Sequence, residues 1–370
     1  MLNVLINLSM TEKLGKAALL RLFFCVFLAG SFSQAAQAET ALPDMTLEEQ
    51  VRLYQSQHQD NAGEGKVVTL VVENDLFGKG TDQNYTSGVR LSYFDASAEM
   101  SDLAHYVADH IPTFSLNEFS SLTYSIGQNL YTPDDISLAA QPANDRPWAA
   151  HLYGSMGLVT VTDDHIDEIE AQIGVVGPLA LGEQTQKFIH THVSDSPTPR
   201  GWKNQLDNEP TLNIGWQRRW PKFYTYDTDH FNFSVAPHAG ATLGNVYTFV
   251  NTGFSLALHP RADWLQDTPL RVQPAIPGTG FFTKPEKKWT WMLFAGMEGR
   301  AMARNIFLDG NTFSDSHDID KRYFVGDAHI GLSITYDRMR VSYTLNHRSK
   351  EFKGQDSPDL FGAISLGYRF

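Results

Sequence analysis

The sequence contains a single cysteine, Cys25, and we expect even this one to be absent from the mature chain. A basic segment ending at Arg21 precedes an apolar run over residues 22–32, and Ala36-Gln37-Ala38 follows as a small-residue cleavage site. We therefore predict a signal peptide over residues 1–38. A mature chain without thiols excludes disulfide scaffolds, thiolate zinc sites and cysteine nucleophiles.

Positive charge is also scarce. Removing the three basic residues and one acidic residue of the predicted signal from totals of 29 and 42 leaves 26 basic and 41 acidic residues, a net charge of −15. Such an acidic chain argues against nucleic-acid binding. The acidity suits a surface that binds divalent cations, although plain solubility is the commoner reason for an acidic balance.

Long apolar runs are missing after the signal, since no stretch approaches the roughly 18 residues of a membrane helix. Apolar and polar residues alternate instead, as in Leu122, Tyr124 and Ile126 with small polar residues or glycine between them. The last eleven residues, 360–370, alternate in the same way and end on an aromatic residue. Segments of about ten alternating residues are typical of transmembrane barrel strands, and a closed barrel leaves no backbone edge unpaired in the bilayer.

We predict an all-β fold, a transmembrane antiparallel β-barrel over residues 67–370 in a Gram-negative-type outer membrane. The expected strands are 67–76, 86–95, 119–130, 149–161, 168–177, 209–220, 229–242, 246–259, 288–303, 323–336, 340–349 and 359–370. An even count of twelve places both termini in the periplasm, so the odd strands run outward. Connections 96–118 and 260–287 are long for periplasmic turns. Each could hold a helix, fill the lumen or reveal a miscounted strand.

A periplasmic segment over residues 39–66 is expected to precede the barrel. Thr46 is followed three residues later by Glu49, which is the spacing of a capping box at the start of a short helix. Residues 61–66 then read as a glycine-containing linker.

Polar residues cluster in three successive outer connections. They are Glu73-Asn74-Asp75 with residues 81–88, Tyr131-Thr132-Pro133 with residues 144–148, and residues 174–178 with His190 and His192. Loops on a rigid scaffold are where catalytic groups collect, and this mixture of carboxylate, amide, hydroxyl and imidazole suits a hydrolytic site.

The ordered set of these motifs resembles the lipid A 3'-O-deacylase family, over residues 67–370. The resemblance implies a twelve-stranded outer-membrane barrel that hydrolyses the ester of the 3'-linked acyloxyacyl chain of lipid A. It also implies a divalent cation, typically Ca²⁺, as cofactor, and lipopolysaccharide of the outer leaflet as substrate.

Carried across the matching positions, the resemblance implies Asn74, Asp75, Thr86 and His190 as the catalytic residues. A neutral His190 suits the task of a general base that activates water. Asp75 would hold the cation through oxygen, and that cation would stabilise the oxyanion. Asn74 and Thr86 would orient groups or complete the shell of ligands.

Tyr131, Asp145 and Arg146 are the expected substrate contacts. Arg146 could grip a lipid phosphate, whereas Asp145 could equally cap its loop. Family members can carry a lysine in the second outer connection that would serve the oxyanion, but residues 133–146 contain none. Arg146, a backbone amide or the cation alone would have to replace it.

Other readings stay open at this stage. His192 would be the base if the motif were shifted by two residues. A phospholipase-type barrel would use a serine nucleophile, for which Ser87 is a candidate. A passive pore or a catalytically inactive structural barrel would need none of these residues. In each case we expect a monomer whose partners are outer-membrane lipids.

Overall fold

The computed structural model describes residues 45–57, 65–78, 84–111, 114–192, 197–261, 266–272 and 279–370. The predicted signal peptide, residues 1–38, lies outside the described residues. Within the described ranges, no helix is long and apolar enough to span a membrane.

One antiparallel sheet forms the body of the protein. Its strands are β1 (Lys66–Asn74), β2 (Asn84–Asp95), β3 (Ser121–Thr132), β4 (Ala149–Val161), β5 (Ile166–Val176), β6 (Glu209–Arg219), β7 (Tyr224–Asp227), β8 (Phe231–Gly244), β9 (Tyr247–Pro260), β10 (Trp289–Asn305), β11 (Phe324–Tyr336), β12 (Met339–Arg348) and β13 (Asp359–Arg369). Sequential neighbours other than β6 and β7 pair around the sheet, β1 pairs with β13, and β6 pairs with β8, so the sheet closes.

The short strand β7 continues β6 rather than adding a place to the barrel. Both strands pair with β8, Arg219 opposite His238 and Tyr224 opposite Val235. Residues 220–223 interrupt the ladder between them, and Pro221 has no N–H to contribute there. The closed barrel therefore has the predicted twelve strands, with boundaries within a few residues of those expected.

The two faces of the barrel wall differ as the alternation predicts. Leu91, Ile126 and Ile214 are exposed apolar residues on the outward face. Charged residues of the same strands point into the lumen and pair there, as Arg90 Nη2 does with Glu170 Oε1 at 2.8 Å. An apolar outer surface around a paired polar interior is what a bilayer requires of a barrel.

In the described ranges four helices accompany the barrel: α1 (Leu47–Gln57), α2 (Asp102–His110), α3 (Gly182–His192) and α4 (Ile306–Asp309). The predicted capping box opens α1: Thr46 N donates to Glu49 Oε2 at 2.8 Å, and Glu49 N donates to Thr46 Oγ1 at 3.2 Å. α2 occupies the first of the two long connections and buries Ala104 and Ala108 in a cluster with Leu122.

The second long connection fills the lumen. We call residues 266–272 and 279–282 the lumen segment; its two parts meet at a bridge between Gln266 and Phe282. Arg340 Nη2 donates to the Gly280 carbonyl at 2.6 Å. Arg219 Nη1 lies 2.7 Å from Asp267 Oδ1. These wall side chains hold the segment inside the barrel.

An aromatic cluster closes the lumen at the outer end, opposite the end at which β1 begins and β13 finishes. α4 contributes Ile306 and Phe307, which are fully buried, and they pack with Tyr85, Tyr131 and Tyr247. The Tyr131 ring stacks on Phe307 with centroids 4.0 Å apart. The lumen is therefore occupied both at this end and along the lumen segment.

Candidate active site

Three neighbouring strands bring polar side chains together on the outward face, near the outer end. Asn74 ends β1 on the face of Leu70 and Val72, and its Nδ2 donates to the Thr86 carbonyl at 3.0 Å. Thr86 Oγ1 lies 2.7 Å from Thr132 Oγ1 of β3. All three residues are buried. A hydrogen-bonded polar patch is thus set into an otherwise apolar wall.

A β-bulge explains how Thr86 joins this patch. Tyr85 lies opposite Tyr131 and Ser87 opposite Leu130, so Thr86 is an extra residue between two paired positions. Bulges re-aim side chains in this way. Thr132 was not among the predicted site residues, although it shares the parity of the outward residues Tyr124 and Ile126. The alternation of β3 therefore already indicated that Thr132 lies on the outward face.

Helix α3 lies against the outward face of the wall. Its buried residues Gly182, Gln186 and His190 recur every four positions and form one face. A Cβ at Gly182 would lie 2.4 Å from the Ala150 Cβ, so only glycine permits this approach. Trp202 Nε1 donates to Gln186 Oε1 at 2.7 Å and fixes the same face. α3 contacts β4 and also β3, the strand that ends at Thr132.

His190 is the wall-facing histidine of α3, whereas His192 is exposed. His190 Nδ1 lies 2.7 Å from the Pro197 carbonyl oxygen. A carbonyl only accepts, so Nδ1 carries the hydrogen and a neutral ring has its lone pair on Nε2. This is the tautomer that a general base needs.

Asp75 begins a 3₁₀ turn, Asp75–Phe77, that folds over the outward face of the last strands. Phe77 packs where a side chain at Gly362 would stand, and Tyr343 Oη donates to the Phe77 carbonyl at 2.8 Å. Asp75 itself is buried. Asp82, from the same connection, lies outside the described residues. We call Asn74, Asp75, Thr86, Thr132 and His190 the wall site.

The oxygen atoms of the wall site are the type of ligand that a hard cation prefers. The carboxylate of Asp75, the hydroxyls of Thr86 and Thr132 and nearby carbonyls are oxygen ligands, which Ca²⁺ prefers in sets of roughly six to eight. Across the described part of the chain, no group of three or more His, Cys, Asp or Glu side chains is placed to hold a metal. A cation here would therefore depend on Asp75, hydroxyls, backbone carbonyls and water.

Two of the three predicted substrate contacts lie on the other side of the wall. Tyr131 is buried in the lumen, and its Oη lies 2.7 Å from Tyr247 Oη. Arg146 is completely buried, 4.8 Å above the Tyr131 ring, with Nη1 3.4 Å from Glu351 Oε2. These residues pack the lumen and are not brought to the wall site.

The third predicted contact, Asp145, caps its own loop. Its carboxylate accepts from the backbone N–H groups of Asp134 and Arg146, both at 2.7 Å. Burial raises the pKa of the Asp134 carboxyl, and the neighbouring carboxylates of Asp145 and Asp356 raise it further. The loop-cap reading of Asp145 therefore accounts for its contacts.

Comparison with known proteins agrees with this architecture. The family model described as outer membrane protein LpxR matches residues 22–370. The solved structure of LpxR from Salmonella typhimurium superposes with a TM-score of 0.67 at 20% identity, covering 82% of this chain and 100% of that one. No curated protein sequence matches.

Other barrels are less similar. The translocator domain of the autotransporter NalP from Neisseria meningitidis gives a TM-score of 0.37 at 11% identity, covering 87% of this chain and 95% of that one. The KdgM porin gives 0.34 at 9% identity, covering 82% and 99%. The family match confirms the resemblance found in the ordered motifs: this chain belongs to the outer membrane protein LpxR family and is a protein of the outer membrane.

Proposed function

We propose that this protein hydrolyses the ester that links the 3' acyloxyacyl chain to lipid A in the outer leaflet. One observation carries the proposal. A wall-facing histidine and a hydrogen-bonded patch of Asn74, Thr86 and Thr132 lie on the outward face near the outer end. At the outer end of the barrel, the wall lies beside the outer leaflet, where an ester between a sugar and an acyl chain is within reach.

His190 acts as the general base in this proposal. Nε2 takes a proton from water as the water oxygen attacks the ester carbonyl. The resulting imidazolium then returns the proton to the sugar oxygen as the carbon–oxygen bond breaks. The products are a free fatty acid and a 3'-hydroxyl group, so protons and electrons balance. The bond from Nδ1 to the Pro197 carbonyl keeps the ring in one orientation during both transfers.

The remaining residues of the wall site orient these groups. Asp75 would hold a divalent cation, for which we propose Ca²⁺, with hydroxyl and carbonyl oxygens as further ligands. When bound, such a cation supplies charge stabilisation to the developing oxyanion. Asn74 and the two threonines fix the relative positions of β1, β2 and β3 around it.

Arg146 is a poor replacement for the oxyanion lysine that the second outer connection lacks. It is buried beside Tyr131 and Glu351 in the lumen. The cation or a backbone amide is the better candidate for that role.

The alternatives gain less support. A passive pore needs an open lumen, whereas the lumen segment and the aromatic cluster occupy this one. A serine nucleophile needs an activating partner, but within the described ranges no hydrogen bond joins Ser87 Oγ to a histidine or asparagine.

Mass spectrometry of lipid A tests the proposal. Purified protein is incubated with lipopolysaccharide in Ca²⁺ or in excess EDTA. We expect loss of the 3'-linked acyl chains in Ca²⁺ only, and we expect His190→Ala to abolish it. His192→Ala is the matched control from the same helix and should retain activity.

Unchanged lipid A with the wild-type protein would refute the deacylase proposal. Full activity in His190→Ala together with loss of activity in His192→Ala would identify His192, rather than His190, as the general base. Cleavage that persists in EDTA would show that the reaction does not need a divalent cation.

A further inference from the structure

The reverse side of the wall site is a second set of bonded residues. Glu73 precedes Asn74 and Tyr85 precedes Thr86, and both side chains point into the lumen. Tyr85 Oη donates to Glu73 Oε2 at 3.0 Å. The Asn74 side chain bonds Thr86 on the outward face, so β1 and β2 are joined on both faces of a single sheet layer.

The lumen segment reaches the same carboxylate. Val272 N donates to Glu73 Oε1 at 3.0 Å, so each oxygen of Glu73 accepts one bond. Gly88 stands opposite Glu73, and a Cβ there would lie 2.1 Å from Tyr85 Oη and 2.8 Å from Val272 Cγ1. The absence of a side chain at position 88 allows the three groups to meet.

The lumen segment is itself held by the wall. Leu270 and Val272 pack on Val71, two residues before Glu73. Arg271 Nη2 lies 3.9 Å from Asp327 Oδ2 on β11, three strands from β1 around the barrel. The segment therefore bridges β11 to the lumen side of β1.

We propose that Glu73 and Tyr85 are positioning residues that fix the wall site from the lumen side, with the lumen segment as their support. This inference rests on the proposed function. Neither residue touches the substrate. Because Glu73 and Asn74 are consecutive in one strand, a rotation of Glu73 about the strand axis also turns Asn74 on the opposite face.

Kinetics of two lumen variants test this role. Tyr85→Phe removes only the hydroxyl, and Glu73→Met removes both acceptors while keeping a side chain of similar length. We expect each to lower kcat about 10- to 100-fold, the effect of a displacement of about 1 Å, with KM unchanged. Glu73→Gln keeps an acceptor for Val272 N–H, and its amide can donate to the Tyr85 hydroxyl, so it should recover most of the lost kcat.

Matched controls come from the same lumen. Tyr247→Phe removes a buried hydroxyl of the same aromatic cluster that bonds Tyr131 rather than Glu73. Glu298→Met removes a buried carboxylate that accepts from Asn251. Both control variants should have a kcat within about twofold of the wild-type value. The measurement is made on folded protein, identified by its heat-modifiable mobility. The double variant Tyr85→Phe/Glu73→Met should lose no more than the worse single variant, because the pair acts as one unit.

Hydrogen exchange gives a readout that does not need activity. Peptides covering residues 73–87 should exchange faster in Tyr85→Phe and Glu73→Met than in the two controls. Wild-type kcat in both lumen variants, or equal losses in the controls, would overturn the positioning role while leaving the deacylase intact. If the wild-type protein cleaves no lipid A, the deacylase proposal fails, and unchanged exchange in the lumen variants would refute the coupling separately.

Discussion

Gly182→Ala should displace α3 from the barrel wall without unfolding the barrel. The new Cβ would lie 2.4 Å from the Ala150 Cβ and 2.6 Å from the nearest atom of the Trp202 ring. Ordinary carbon contacts lie at about 3.5–4.0 Å, so the helix has to move outward by more than about 1 Å. The Trp202 ring is rigid and packs in a buried cluster with Trp148 and Ala150, so it has little room to yield.

This displacement has a predictable size in activity. Overpacking of this kind costs about 1–3 kcal/mol, which α3 can relieve by moving away from the wall. His190 is two turns further along the same face, and a shift of about 1 Å at a reacting group lowers the rate by about 100-fold. We therefore expect kcat for lipid A cleavage to fall about 100-fold while the barrel keeps its heat-modifiable mobility.

The matched control is Gly154→Ala, on the outward face of the same strand as Ala150. A Cβ there would meet only the Ser125 carbonyl oxygen, at 3.9 Å, so activity should be unchanged. Wild-type kcat in Gly182→Ala would refute the reasoning, because it would mean that the position of α3 against the wall does not set the position of the base.

Three further predictions address the lumen, the outward patch and the membrane. Asp327→Asn should lower the free energy of unfolding by about 3–5 kcal/mol, measured by denaturant titration in micelles, because Arg300 and Arg348 would stay buried without their shared carboxylate. Thr132→Val should lower kcat about tenfold with the barrel intact, because the buried Thr86 hydroxyl loses its partner. Equal rates in the variant and the wild-type protein would show that Thr132 does not contribute to the wall site. Phe188→Trp should fluoresce with strong quenching by brominated lipids, since this side chain is exposed on a helix that packs against the outward face of the wall. The absence of quenching would place it in water.

Alternation made the barrel predictable from the sequence. Each strand has to present apolar residues to lipid at every second position, so strand number and parity could be read residue by residue. The capping box was also predictable from the sequence, because it depends only on the spacing of Thr46 and Glu49. β7 was missed because its four residues are too short to alternate convincingly after Pro221.

The candidate site was predictable only in part. Asn74 and Thr86 were found through ordered motifs, and parity already indicated that Asn74 shares the lipid-facing side. Thr86 joins Asn74 and Thr132 through a bulge in β2, which shifts parity by one residue and cannot be read from alternation. Arg146 was assigned to substrate because its loop is at the outer end, but the loop folds inward and buries it.

The lumen segment could not be derived from its own residues. Its contacts run to Glu73, Arg219 and Arg340, which are distant in the sequence, and nothing in a glycine- and proline-containing connection specifies that it enters a barrel. Only the excess length of that connection signalled that it does more than turn the chain.

One residue of the wall site, Asn74, lies at the seam of the barrel, where β1 meets β13. Asn74 pairs with Ser87 on one side and with Gly362 on the other, and Phe77 sits over Gly362. This seam joins the two strands that are furthest apart in the chain, so it forms through the contact with the longest loop to close. Before it closes, Asn74 lacks one neighbouring strand and the turn after Asp75 has nothing to fold over. Lipid cleavage at the proposed site would therefore report that barrel assembly is complete, and unclosed forms would be inactive towards the membrane in which they assemble.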